Sequence, residues 1–324
     1  MVTVISHQKE KPIQDLLLIG RGCTQKLEAN LKIMIKKSLL KVLILLSFAS
    51  FEGNANNTSS DQDETIKIVT LSPHLAEMIY ELGSESSLVG VSSFTDYPES
   101  AKSIPRIGDA FVLDLERMAL LDPDVILAWE SGTPRKVVEE LDNLGYRLEI
   151  IKSNNLNEIS AALNQIGQIV DKQEQARVII KKYSDQLKDL KEKYKNKQKV
   201  AVFFQIDQQP LFTIGGNHFI SEMIEVCGGT NVFSELEQLA PSVSVESVIA
   251  RDPQVIMSMA KAKSQSDFQY WKKFGNLSAN KYDNFYYLHS DALERPTTRI
   301  ISAGEELCKK LEEARLKLET TVKN

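Results

Sequence analysis

The chain has 324 residues, 42% of them hydrophobic and 26% charged, with a net charge of −5. That length accommodates two domains with their own cores, and the composition is that of a globular protein. The acidic balance leaves no broad basic field, which excludes nucleic acid as a partner. The lysines between Lys181 and Lys199 alternate with Asp and Glu and read as the solvated face of a helix.

In chain order, residues 34–55 read as a secretory signal: Lys36, Lys37 and Lys41, then the apolar run Val42 to Ala49, then small residues ending at Ala55. That run is too short to span a bilayer. Residues 1–33 are then an extension ahead of Met34, the expected start. Residues 56–65 form a flexible, polar mature N-terminus. Ile66–Leu71 predicts a strand, and Pro73 opens a helix closed by Gly83. Leu88–Val91 predicts a strand, Leu115–Leu121 a short helix, Val125–Trp129 a strand, Lys136–Leu144 a helix and Tyr146–Ile151 a strand. Leu156–Val170 is helical. A longer helix follows from about Lys172 to Tyr194, its apolar residues stepping by three and four. Val200–Ile206 restarts the strands. Glu222–Val226 and Glu246–Ala250 are helical, Val255–Met259 and Phe285–Leu288 are strands, and Ile300–Val322 is a terminal helix.

The alternation of strands and helices predicts an α/β fold with parallel sheets. An internal repeat divides it. DLERMALLDPDVILAW at 114–129 and SVESVIARDPQVIMSM at 244–259 share Glu116/Glu246, Asp122/Asp252, Pro123/Pro253, Val125/Val255 and Ile126/Ile256. Each copy is preceded by Glu-Met-Ile, at Glu77 and at Glu222. Two Rossmann-like lobes follow, at 66–171 and 197–324, joined by the long helix at 172–196, with a ligand cleft between them.

No hydrolase, phosphate-loop or zinc-protease motif occurs, and His74, His218 and His289 are far apart in sequence. No catalytic residue and no metal site is therefore assigned. In open α/β sheets ligands bind beyond the carboxyl ends of the strands. Those connections hold Phe94 and Tyr97, Trp129, Phe212, Asp291 and Arg295, the mix of aromatic and polar groups that a large, partly apolar ligand requires. Core packing of Trp129 and Phe212, and a surface pair between Asp291 and Arg295, are the alternatives. Cys227 and Cys308 lie downstream of the signal, where a disulfide or two buried thiols are both open.

The segments VTLSPHLAEMIYELG (69–83), GVSSFTDYPESA (90–101), EVCGGTNVF (225–233) and SDALERPTTRIISAGEELC (290–308), with the two repeat copies, resemble the cobalamin-binding (BtuF) type of periplasmic binding protein, in the helical-backbone metal-receptor group. The resemblance runs from about Lys67 to Leu311. It implies a periplasmic, monomeric receptor, not an enzyme, that carries cobalamin as transported ligand rather than cofactor. It delivers that ligand to the permease dimer of an ABC importer. It further implies ligand contacts at Phe94, Trp129, Asp291 and Arg295, permease docking through Glu116 and Glu246, and a Cys227–Cys308 disulfide; Tyr97 and Phe212 join the expected contacts by their places after strands, and Phe111 by its place beside Ala110. Ala110, Ala240 and Ala292 stand where cobalamin receptors can carry Trp, and Phe111 offers compensation at 110. The rival readings are the same fold carrying a ferric siderophore or haem and, in another class, a chelatase-like enzyme.

Overall fold

The computed structural model describes residues 65–260 and 267–322. The expected signal at 34–55, the extension before it and most of the polar segment at 56–65 lie outside the described residues. The first sheet contains β1 (Ile68–Thr70), β2 (Leu88–Val91), β3 (Val125–Trp129) and β4 (Leu148–Ile151), in the order β2-β1-β3-β4. All its pairs are parallel. The second contains β5 (Val200–Gln208), β6 (Leu211–Thr213), β7 (Gly229–Asn231), β8 (Val255–Met259) and β9 (Phe285–Leu288).

In the second sheet β7 and β8 flank β5 in parallel and β9 follows β8. The order β7-β5-β8-β9 therefore repeats that of the first sheet. The register repeats as well: Ile68 opposes Val125, and Val202 opposes Val255. The expectation of parallel sheets needs one correction. β6 folds back on β5 as an antiparallel hairpin, pairing Asp207 with Phe212. A tight turn at Gln209-Pro210 can only join antiparallel neighbours, because a parallel pair needs a long crossover.

The central strands are apolar along their whole length because helices cover both faces. β3 and β8 read VILAW and VIMSM and are buried except for half-buried Trp129. The crossovers are α1 (Pro73–Glu81), α2 (Leu115–Leu121), α3 (Arg135–Asn143), α4 (Leu156–Ile169), α6 (Phe219–Val226), α7 (Val245–Arg251), α8 (Asp267–Trp271) and α9 (Ser278–Lys281). Between the lobes runs α5 (Gln173–Tyr194), 22 residues and roughly 33 Å long. The chain closes with α10 (Ile300–Val322).

The second repeat copies are alike in detail. Asp114 accepts the amide of Arg117, and Ser244 that of Ser247, each three residues on, so both short helices start on a capping side chain. Both end on an Asp in the left-handed region, Asp122 at φ 47° and Asp252 at φ 42°, and a proline follows each. Asp tolerates that conformation better than most residues, and proline prevents the helix from continuing. In the second lobe Asp252 also accepts from the amide and hydroxyl of Ser278, at 2.7 Å each, and so starts α9.

One core joins the lobes. Ile68, Leu75 and Ile79 of the first, Val202, Ile224 and Leu311 of the second, and Tyr183 and Leu187 of α5 belong to a single buried cluster. The Tyr183 hydroxyl donates to the carbonyl of Leu156 at 2.8 Å, tying α5 to the start of α4. Residues from Glu64 onward accordingly form one compact unit. The Cys227–Cys308 disulfide is present, with a Cα separation of 4.7 Å, and links the end of α6 to α10.

Candidate functional site

The site is built from connections that leave the carboxyl ends of the strands. After β2 the chain turns through Phe94, whose φ of 65° is left-handed and whose ring is 79% exposed. A bulky side chain there is strained, and strain of this kind collects at ligand sites. The carbonyl of Gly108 accepts the amide of Ser93 at 2.6 Å, so the next loop is held beside the first. That loop carries Phe111, also 79% exposed.

The Asp109 carboxylate accepts the amides of Phe111 and Val112 at 2.8 and 2.9 Å, and these two bonds hold it below the usual carboxylate range. Gly108, at φ +103°, permits the turn: a Cβ there would lie 2.1 Å from the Val112 oxygen. Two exposed aromatics therefore stand on stiff neighbouring loops. Folding alone gives no reason to leave either ring in water.

Trp129 ends β3, half-buried. Its ring meets the edge of His74 with centroids 4.9 Å apart. Gly132 lies against the indole, where a Cβ would come within 2.0 Å of the ring. The indole Nε1 is buried without a hydrogen-bond partner. His74 itself is buried and its Nε2 is 3.2 Å from the Ser153 hydroxyl. Burial first, and the Arg295 charge second, push its ring down to about 3. His218 accepts the Ile220 amide on Nδ1 at the start of α6, and burial pushes it down to about 4.

Both histidines are therefore neutral when folded and protonate near 6.5 when unfolded. A lowered folded value means stability that is complete above pH 6.5 and is lost as pH falls from there toward 4 and 3. The expected slope is up to about 1.4 kcal/mol per pH unit for each ring. Urea melts of wild type and His74→Gln between pH 7 and 4.5 check this. The variant should lose about one proton's worth of slope, and parallel curves would contradict the assignment.

In the polar half of the site Asp291 and Arg295 pair with each other and belong to a larger ionic cluster. The Arg295 side chain is 14% exposed and its Nη1 donates to Glu77 of α1 at 2.5 Å. Its Nη2 donates to Asp96 at 2.5 Å and approaches the carbonyl of Phe94 at 3.4 Å. Asp291 lies 3.4 Å from Arg295 and accepts from Arg299 at 2.9 Å. Partial burial raises the Asp96 carboxyl, but the bond and charge of Arg295 outweigh this and leave it below the usual range.

Tyr97, expected against a ligand, lies under the Arg299 guanidinium, 3.5 Å from ring centroid to the cation. A recess of about 280 Å³ opens beside this cluster, walled by Glu77, Tyr97 and Arg299 among others. Phe212 is half-buried on β6, where it also bridges to Ser242. Arg295 thus brings together the connections after β1, β2 and β9, while Phe111 stands on the loop beside Phe94, Trp129 ends β3 and Phe212 lies within β6.

Sequence reasoning missed Glu77, Asp96 and Arg299 as members of the site. In the sequence Glu77 stands out only as an echo of Glu222. The spacing of Arg295 and Arg299, four apart across a helix start, was the available signal for a paired guanidinium site. Glu116 and Glu246 lie exposed in the first turns of α2 and α7. Among the described residues no group of three or more His, Cys, Asp or Glu could hold a metal ion.

A family described as periplasmic binding protein matches residues 68–292, more than half of the chain. The vitamin B12-binding protein of Vibrio campbellii is 33% identical over 285 residues, covering 88% of this chain and 100% of that protein. The crystal structure of the periplasmic vitamin B12 binding protein BtuF of Vibrio cholerae superimposes with a TM-score of 0.70 at 31% identity, covering 77% of this chain and 97% of that one. A possible iron-binding periplasmic solute-binding protein from Staphylococcus epidermidis gives 0.66 at 29%, covering 76% and 98%. The family match spans both sheets and the long helix between them, and the chain belongs to the periplasmic binding protein family.

Proposed function

We propose that this chain is a periplasmic receptor that captures cobalamin, or a related corrinoid, between its lobes and hands it to an ABC importer. The observation that carries the reading is the pair of exposed aromatics, Phe94 and Phe111, at the strand ends of a chain that matches vitamin B12-binding proteins over most of its length. A corrin ring is broad and flat. Aromatic rings on stiff loops cover such a surface at little entropic cost. Trp129 and Phe212 extend the apolar wall, with Tyr97, Asp291 and Arg295 at its polar edge. The lobes at 66–171 and 197–324 supply its two sides. The receptor acts by binding alone and works as a monomer. Gel filtration after mixing with cyanocobalamin tests this: the corrinoid absorption band should travel with the protein, and should remain when haem or a ferric hydroxamate is added as competitor. Displacement by either competitor would favour the iron-chelate reading instead.

Delivery is assigned to Glu116 and Glu246. Their equivalent placement on α2 and α7 gives one exposed carboxylate per lobe, which fits a two-fold permease carrying basic residues on each half. A helix-terminal carboxylate contributes about 0.3–1 kcal/mol to stability on its own. That accounts for either residue singly but not for the matched pair. Charges at such an interface set register and encounter. Glu116→Ala with Glu246→Ala should leave ligand affinity within about twofold of wild type. Docking to permease in nanodiscs should weaken more than with either single change. Unaltered docking by the double variant would leave only the helix-terminal role.

A further inference from the structure

Three ion pairs join the first lobe to the second through Arg295 and Arg299. Their common partner is Glu77. Its side chain is 3% exposed and receives Arg295 at 2.5 Å on one oxygen and Arg299 at 2.9 Å on the other. A carboxylate that deeply buried is stable only when both oxygens are satisfied and its charge is matched. Here both partners come from the other lobe, 218 and 222 residues away in sequence. Asp96 and Asp291 hold the outer edges of the same two guanidiniums. Next to this cluster Thr298 donates to Glu81, one turn along α1, so the contact continues along the helix.

The repeat shows that the position matters. Glu222 of the second lobe is the counterpart of Glu77. It too crosses to the other lobe, accepting the amide of Leu156 at the start of α4 at 2.7 Å. The two copies therefore fasten the lobes at two places. Glu222 does so beside α5, where Lys191 and Lys195 line the same recess. Glu77 does so at the strand ends, where Arg295 reaches the Phe94 carbonyl. Only the Glu77 contact bears on the place where a ligand would lie.

We propose that Glu77 is the positioning residue of the ligand cleft: it fixes Arg295 and Arg299 of the opposite lobe, and so sets both the spacing of the lobes and the place of Arg295 at the polar edge of the cleft. This deepens the proposed function and rests on its reading that a ligand is held between the lobes. A guanidinium fixed in advance meets the ligand without an ordering cost. A cleft whose lobes are fastened together releases its ligand slowly, whereas the rate of encounter is set by diffusion and the overall field. Loss of Glu77 should therefore act on dissociation.

The test uses the mature chain with Glu77→Gln, which keeps the shape and removes the charge. Spin labels on Glu140→Cys and Lys281→Cys, one exposed site per lobe, report the interlobe distance by double electron–electron resonance without any ligand. The expected result is a broader distribution, shifted to longer distances, that Glu77→Asp partly restores. Stopped-flow with cyanocobalamin should show dissociation about 10- to 100-fold faster and association little changed. Asp96→Asn, at an exposed carboxylate, should give the same changes on a smaller scale, and decides the matter if Glu77→Gln does not fold. If wild type fails to bind cyanocobalamin, the corrinoid reading is wrong and the distance measurement still decides this inference. Distance distributions that match wild type in the folded variants would overturn it, as would an unchanged dissociation rate alongside normal wild-type binding.

Discussion

The double variant Phe94→Ala, Phe111→Ala is expected to bind cobalamin about 100-fold more weakly than wild type, with its folding stability almost unchanged. Covering one phenylalanine ring contributes about 1.5–3 kcal/mol. Two rings together amount to about 3 kcal/mol or more, and each 1.4 kcal/mol is a factor of ten in Kd. Stability should hold because both rings are 79% exposed and contribute little to the core. The loops that carry them are fixed by other groups, notably the Asp109 carboxylate and the Ser93–Gly108 hydrogen bond. At position 94 alanine still has to adopt a left-handed φ, as phenylalanine does. Trp129→Ala supplies the contrast. Its ring packs on His74 and against the buried cluster, so that variant should lose stability as well as affinity. Equilibrium titration and urea melts on the same samples check both. An exposed pair that changes neither quantity would remove these rings from the site.

The largest effect on folding is expected from the disulfide. Cys227→Ser with Cys308→Ser should lower the unfolding free energy by about 4–5 kcal/mol in the chain-entropy account, because the bond closes a long loop. The sequence separation is 81 residues. Both sulfurs belong to the main buried cluster, so the serine hydroxyls would add a polar cost. Arg315 steadies the same corner by donating to the Cys227 carbonyl at 2.6 Å, and its guanidinium also meets Glu312. That contact limits local unravelling but cannot replace the covalent link. Denaturant unfolding of the double variant, and of wild type with and without reductant, measures the loss. A difference under about 1 kcal/mol would mean that the unfolded chain gains little freedom when the bond is cut.

Strand and helix positions could be read from the sequence wherever a local pattern was strong. The repeat at Glu116 and Glu246 carried the most, since its two copies prove to have a side-chain cap at the same position, the same length and the same left-handed Asp. Composition did not reveal β7. Gly229-Thr230-Asn231 is no strand by propensity and exists because β5 offers an edge. The antiparallel β6 was likewise hidden, because three residues show no period. The aromatic half of the candidate site was visible as side chains after strands. Its ionic half was not, for a physical reason: Glu77 meets Arg295 and Arg299 only once both lobes have folded and docked. A buried carboxylate looks like any other helical glutamate until its partners are in place. The partners that Arg295 and Tyr97 hold, Asp96 and Arg299, were equally hidden, because they meet only in the folded chain.

The central claim is that a corrinoid is this receptor's cargo. Isothermal titration calorimetry of the purified protein against cyanocobalamin, cobinamide, haem and a ferric hydroxamate tests it most directly. The account predicts one-to-one binding of cyanocobalamin, tighter than haem and the hydroxamate by at least about 100-fold, a gap of roughly 2.7 kcal/mol. It also predicts a negative heat-capacity change, because apolar surface on Phe94 and Phe111 is covered. Tight binding of haem or the hydroxamate, with no heat from either corrinoid, would contradict it.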